Sequence, residues 1–243
     1  MFKLGRSSNP IINKERIDKM HIDTLGQETM TIQGAIDKTL ILFAILLLTA
    51  SFSFVQGQPV LTLVGAIGGL IVVLISVFKQ DKSSFLAPLY AGLEGLFVGG
   101  ISAMYAYAYN GIIMQAVLLT LSIMVVMLII YRTRIIKVTD KFRMGVVMAT
   151  GGIFLVYVTS FVLSFFGINV PYLHEGGMLG IGISLVIIAI AAFNLLLDFD
   201  NFERGAEHGF PKYMEWFFAM GLLITLVWLY VEILRLLSKL SRD

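Results

Sequence analysis

Residues 178–198 read MLGIGISLVIIAIAAFNLLLD, and no charged side chain occurs between Met178 and Leu197. A helix rises 1.5 Å per residue, so about 20 apolar residues cross the roughly 30 Å of bilayer hydrocarbon. This stretch has that length, and a carboxylate, Asp198, ends it. Six more stretches of the same kind occupy residues 38–56, 59–78, 85–106, 111–131, 144–166 and 214–238. Of the 243 residues, 58% are hydrophobic and 14% charged, against about a quarter charged in a soluble domain. The expectation is an all-α polytopic membrane protein, a seven-transmembrane-helix bundle over residues 35–243. A polar tail of mixed charge precedes it at 1–34, without the basic-then-apolar pattern of a signal peptide.

The connections carry turn chemistry: Gly57-Gln58-Pro59, Lys79 to Ser84, Asn110-Gly111, and a longer segment from Gly167 to Gly177. Basic loops resist translocation, so Lys and Arg set the orientation. A cytoplasmic N-terminus leaves only Arg235, Lys239 and Arg242 of the 18 Lys and Arg on the far side. Those three dissent from an otherwise uniform signal. Gly65 and Gly69, and Gly95 and Gly99, have the small-xxx-small spacing that lets helices approach closely in lipid.

Several function classes are not indicated. A net charge of +2 gives no basis for nucleic-acid binding, and the absence of cysteine removes thiol chemistry and cysteine metal sites. No HExxH, GxSxG or P-loop pattern occurs, so no enzyme and no resident cofactor are expected. His21, His174 and His208 fall in the tail or loops and read as solvated. No lysine lies in the body of the last span, which argues against a retinal Schiff base.

The chemistry-bearing residues are acids. An ionisable group inside a span costs several kcal/mol unless paired or hydrated, and so marks a candidate site. Glu94 lies near the middle of the third span. It either lines an ion path or is a protonated acid bonded to a neighbouring helix. Asp198 and Asp200, two residues apart, point to nearly opposite sides of a helix. Asp200 reads either as a second ion-path acid or as a solvated helix-end carboxylate. Glu215 opens the last span, where the helix dipole favours an acid. Glu232 lies deeper, three residues before Arg235, the spacing of an intrahelical ion pair.

Met30-Thr31-Ile32-Gln33-Gly34, Ala87-Pro88-Leu89-Tyr90-Ala91-Gly92-Leu93-Glu94-Gly95, Leu197-Asp198-Phe199-Asp200, Tyr213-Met214-Glu215-Trp216 and Trp228-Leu229-Tyr230-Val231-Glu232 together resemble the Bax inhibitor-1 superfamily, especially its bacterial YccA-like branch. The resemblance implies a pH-sensitive calcium leak in a bacterial plasma membrane. Its partners would be the lipid bilayer, calcium or other cations bound transiently, and other membrane proteins. It further implies a proton sensor made of an acid on the sixth helix, matched by Asp198, and a second acid on the seventh. A basic latch ends the second helix, matched weakly by Lys79. Glu232 fits the second acid by motif and Glu215 by depth. About 25 Å of straight helix separates those two, so both cannot join Asp198. The alternatives are a non-conducting regulator that binds membrane proteins or proteases, and a proton-coupled transporter, for which no internal repeat is seen.

The charge distribution makes a direct prediction. The chain has no cysteine of its own, so cysteines introduced at Thr139 and Asn169 should react with an impermeant thiol reagent from opposite sides of the membrane. Labelling of both from outside would contradict the orientation.

Overall fold

The computed structural model describes residues 28–167 and 177–241, and every structural statement below refers to those residues. Most of the polar tail, with His21, and part of the long loop, with His174, lie outside them.

Seven long helices follow one another: α1 (Ile32–Gln56), α2 (Pro59–Phe78), α3 (Ser83–Ala108), α4 (Ile112–Arg132), α5 (Asp140–Ser164), α6 (Met178–Glu207) and α7 (Met214–Leu240). All seven are long and apolar enough to cross a membrane, as the sequence pattern indicates. Their ends follow from local chemistry. Thr31 and Thr139 cap α1 and α5, their hydroxyls accepting from the Gly34 and Phe142 amides at 2.9 and 3.2 Å. Each satisfies one of the amides that a helix start leaves without a partner. Gly57 ends α1 at φ 59°, where a side chain would be strained, and Pro59 opens α2.

Two boundaries differ from the sequence reading. α1 begins at Ile32, and the chain before it is already docked: Thr29 forms a bridge with Pro211 and Met30 is buried. α6 does not stop at Asp200 but continues to Glu207. The extension is polar and is held by neighbouring helices: Glu203 bonds Tyr131 and Arg134 of the α4 end, and Arg204 reaches Asp140 at 3.7 Å. Partners, not hydropathy, keep those turns helical.

α7 is the centre of the bundle. It packs on α1, α3, α4 and α6, and 67% of its most apolar window is buried against 11% for α5. α3 lies between α1 and α2, and the glycines make this possible. A Cβ on Gly99 would overlap the backbone of Ala50 in α1, and one on Gly65 would come within 2.5 Å of the Leu93 carbonyl. Ser53 of α1 bonds the Leu96 carbonyl of α3 at 2.7 Å. Association in lipid rests on such close contact because hydrocarbon offers no solvent-driven burial.

α5 behaves differently. It packs closely on α6 and on no other helix, and Gly145, Gly151 and Gly152 face open space. Polar contacts at three depths hold it instead. Arg143 bonds Asp200 and Asn201, Thr150 bonds Asn194, and Tyr157 bonds Glu232 and Arg235.

These packing differences predict different costs for one substitution. Gly99→Ala should destabilise the α1–α3 contact by about 1–3 kcal/mol, the usual range for overpacking. Gly151→Ala should be neutral or stabilising by up to about 1 kcal/mol, through helix propensity alone. Thermal unfolding of the purified variants in one detergent measures both.

Candidate functional site

Asp198 lies within α6, nine residues before its end, because the helix runs on to Glu207. Its carboxylate faces α7, with Oδ1 directed at Gly221 and the Thr225 hydroxyl beside it. Oδ2 is buried and has no hydrogen-bond partner. No ion pair involves Asp198. The facing positions on α7 are therefore a glycine and a threonine, not a second acid. A carboxylate pair at this level is absent among the described residues.

Asp200 does point away from Asp198, but it is neither solvated nor open to an ion. It is buried, 6% exposed, between Arg143 at 2.5 Å and Arg204 at 2.6 Å. Arg143 also donates to Asn201 at 2.9 Å. A paired, buried carboxylate with two guanidiniums is a clamp joining α5 to α6. Breaking such a pair by removing one member costs about 3–5 kcal/mol. The reading of Asp200 as a solvated helix-end acid is corrected accordingly.

The two rival acids of α7 have separate structural partners. Glu215 accepts from the Thr31 amide at 3.0 Å and the Thr31 hydroxyl at 3.3 Å, so its charge lies at the start of α1. A helix start carries partial positive charge that favours an anion there. Lys38 lies over the neighbouring Trp216 ring at 5.4 Å, and Lys212 pairs with Glu28. That pairing holds the Glu28 carboxyl below its usual range and the Lys212 ammonium above its own. Two of the motifs behind the family resemblance, Met30–Gly34 and Tyr213–Trp216, are thus the two halves of one joint. Glu215 lies at the depth expected of the second acid, yet its Oε1 accepts from Thr31 at the α1 start, and its Oε2 is buried with no hydrogen-bond partner.

Glu232 is 1% exposed. It accepts from the Tyr157 hydroxyl at 2.6 Å and from Arg235 at 3.1 Å. Arg235 also donates to Tyr157 at 2.6 Å and lies over its ring at 5.1 Å. The intrahelical pair read from sequence is present, and a residue of α5 completes it. Lys79, the candidate latch, is exposed at the C-terminal cap of α2, in no ion pair. The basic group nearest in role is Arg143, whose charge acts on Asp198 while it clamps Asp200.

Glu94 is partly buried on α3 beside Tyr90, one turn earlier. It belongs to none of the ion pairs. Glu94 borders a cleft of about 390 Å³ between α3, α5 and α7, which Thr150, Tyr157, Trp228, Glu232 and Arg235 also border, while its Oε2 lies close to Gly69 of α2. Asn194 donates to Thr150 at 2.7 Å. Asn194 and Asp198 are four residues apart, hence neighbours on one face of α6. Polar groups thus run from Asp198 through Asn194 and Thr150 into the cleft with Glu94, and end at the Tyr157–Glu232–Arg235 cluster.

Sequence reasoning did not single out Arg143, Thr150, Tyr157, Asn194 or Thr225. Arg143 was legible only as a loop charge, and a lone Tyr, Asn or Thr in an apolar run carries no signal until its partner helix is known. Lys239 is similar: its ammonium is buried, donating to the Gly180 carbonyl at 2.9 Å and Ser184 at 3.0 Å. Together with Arg235 it is a bonded part of the bundle and not a free loop charge. His208, read as solvated, bonds the Arg204 carbonyl at 2.7 Å.

The Glu215 joint predicts a structural phenotype. Glu215→Gln keeps an acceptor for Thr31 but removes the charge at the α1 start, at a cost of about 1 kcal/mol. Stability in denaturant should fall by that amount, and the Trp216 emission should shift as Lys38 and its surroundings loosen.

No curated protein matches the chain. A family model described as Bax inhibitor 1 like matches residues 9–242, a span that includes every helix and every acid described above. The chain belongs to the Bax inhibitor 1 like family of membrane proteins.

Proposed function

We propose that this membrane protein is a passive, pH-sensitive cation leak, with calcium as the ion, in a bacterial plasma membrane with its N-terminus cytoplasmic. The observation that carries the reading is the state of two acids. Glu94 and Asp198 are carboxylates inside spans with no basic partner at ion-pair distance, in a bundle that pairs Asp200, Glu203 and Glu232 and ties Glu215 to a helix start. An acid kept without a counter-charge in hydrocarbon is an expensive feature for structure and a useful one for a passing cation. Calcium takes hard oxygen ligands, and a leak needs few of them so that the ion is released again. Two separated carboxylates with Thr and Asn oxygens between them meet that need.

Asp198 is the residue we assign to proton sensing. The acid pair implied by the family resemblance is replaced by one carboxylate facing Gly221 and Thr225, with the Arg143 charge nearby. A protonated Asp198 is neutral and offers a cation nothing; a deprotonated one attracts it. Flux therefore rises with pH. The Tyr157–Glu232–Arg235 cluster closes the other end of the cleft, its guanidinium standing where a cation would leave.

Calcium flux into liposomes containing only the purified protein tests these assignments. Wild-type flux should increase with pH, Asp198→Asn should flatten that response, and Glu94→Gln should reduce flux about tenfold or more at every pH, as loss of a mid-membrane charge implies. Tyr157→Phe should increase flux by freeing Arg235. A protein that passes no calcium down its gradient is not a leak, and one that responds only to an imposed proton gradient is a coupled transporter.

A further inference from the structure

We propose that the cleft between α3, α5 and α7 binds a hydrophobic organic cation, a quaternary or protonated amine with an aromatic or branched apolar group, and that Glu94 is its counter-charge. This goes beyond conduction and holds whether or not the bundle passes calcium. Apolar hollows open between the helices, and charge sets this one apart from two others. One of about 330 Å³ lies among α1, α3, α4 and α7, and another of about 590 Å³ lies between α5 and α6; neither has a charged side chain in its wall. Such walls give lipid chains a surface and select nothing further.

The α3/α5/α7 cleft is different on three counts. Its volume of about 390 Å³ falls within the roughly 300–1,000 Å³ of small-molecule sites and far exceeds what a bare metal ion occupies. Its walls carry Tyr90, Phe97, Phe154, Tyr157 and Trp228, and an aromatic face attracts an ammonium group most strongly when water is excluded. Its charges do not cancel. Glu232 is neutralised by Arg235 and bonded by Tyr157, whereas Glu94 has no basic partner, so the cleft holds one uncompensated negative charge when Glu94 is ionised. The apolar and aromatic walls give an organic cation a surface to bury, and the charge disfavours anions. A cation that carries its own apolar surface satisfies both conditions.

Access is also provided. Phe154, on the α5 wall, is 62% exposed on the outside of the bundle, and α5 packs closely on α6 alone, reaching α7 through the polar contacts of Tyr157. A hydrophobic cation partitioning into the membrane can enter between those contacts without crossing the core.

The chain has two tryptophans, so Trp216→Phe leaves Trp228, in the cleft wall, as the sole reporter. The full chain carrying that change, in nanodiscs of zwitterionic lipid, is titrated with benzyltrimethylammonium and with its neutral isostere neopentylbenzene. The cation should give a saturable change in Trp228 emission, and adding Glu94→Gln should raise its midpoint roughly tenfold while leaving any response to the isostere unchanged. Phe154→Ala, which removes an exposed wall and no charge, should raise the cation midpoint about threefold, and it decides the matter if Glu94→Gln does not fold. Equal responses to cation and isostere, both insensitive to Glu94→Gln, would mean a pocket for lipid chains and overturn the proposal. So would the absence of a saturable change, or an unaltered midpoint in Phe154→Ala. Loss of the calcium-leak reading in the flux assay would leave this result standing, because emission of Trp228 reports occupancy and not transport.

Discussion

A polar group in hydrocarbon has no water to bond, so its partner must come from another helix or another turn of its own. That constraint organises this bundle. α7 carries Glu215, Glu232, Arg235 and Lys239 through the centre of the molecule, and each is met by a different neighbour: the α1 start, Tyr157 of α5, Glu232 on α7 itself, and the first turns of α6. The positions of α1, α5 and α6 around α7 are in large part the positions at which these groups are satisfied. Apolar packing alone would allow the helices to slide along one another, since lipid competes equally for every apolar face.

The same constraint divides the bundle into two mechanical parts. α1, α2 and α3 are joined by close backbone contact at glycines, where even an added Cβ would collide with the neighbouring helix. α5 packs closely on α6 alone and is further joined by polar contacts at three depths, one of them the buried Arg143–Asp200 pair. Dense packing admits few alternative arrangements, whereas a helix held by discrete bonds can exchange them for bonds to an ion, a ligand or water. The cleft bordered by Glu94 lies along that helix.

The resemblance to an acid pair across two helices illustrates why motif and role separate. Glu232 occupies the matching position in Leu-Tyr-x-acid, and Glu215 occupies the matching depth, yet each is committed to a structural partner. Asp198 keeps its expected place on α6 and meets Gly221 and Thr225. Whether two acids share a site depends on the rotation of one helix against another, and a one-dimensional spacing argument fixes neither helix's rotation. It did exclude the case in which both α7 acids join Asp198, because helix rise alone forbids it.

The sequence by itself determined the seven spans, their order, and the turn at Gly57-Gln58-Pro59 between the first two, because these depend on hydropathy and on turn chemistry within a few residues; the capped starts at Thr31 and Thr139 lie outside the apolar runs and emerged only with the structure. It determined that Gly65, Gly69, Gly95 and Gly99 are packing positions, since small-xxx-small spacing is a property of one helix face. It also isolated the acids, because a carboxylate in an apolar run is conspicuous without any structure. Only the tertiary structure decided which acids are free. Asp200 and Asp198 differ by two residues and look alike in sequence; one lies between two guanidiniums and the other faces a glycine. The difference is made by Arg143 on a helix that begins some sixty residues earlier. A charge is paired or bare according to what lies within about 4 Å of it, and that distance is set by how helices far apart in the chain are brought side by side.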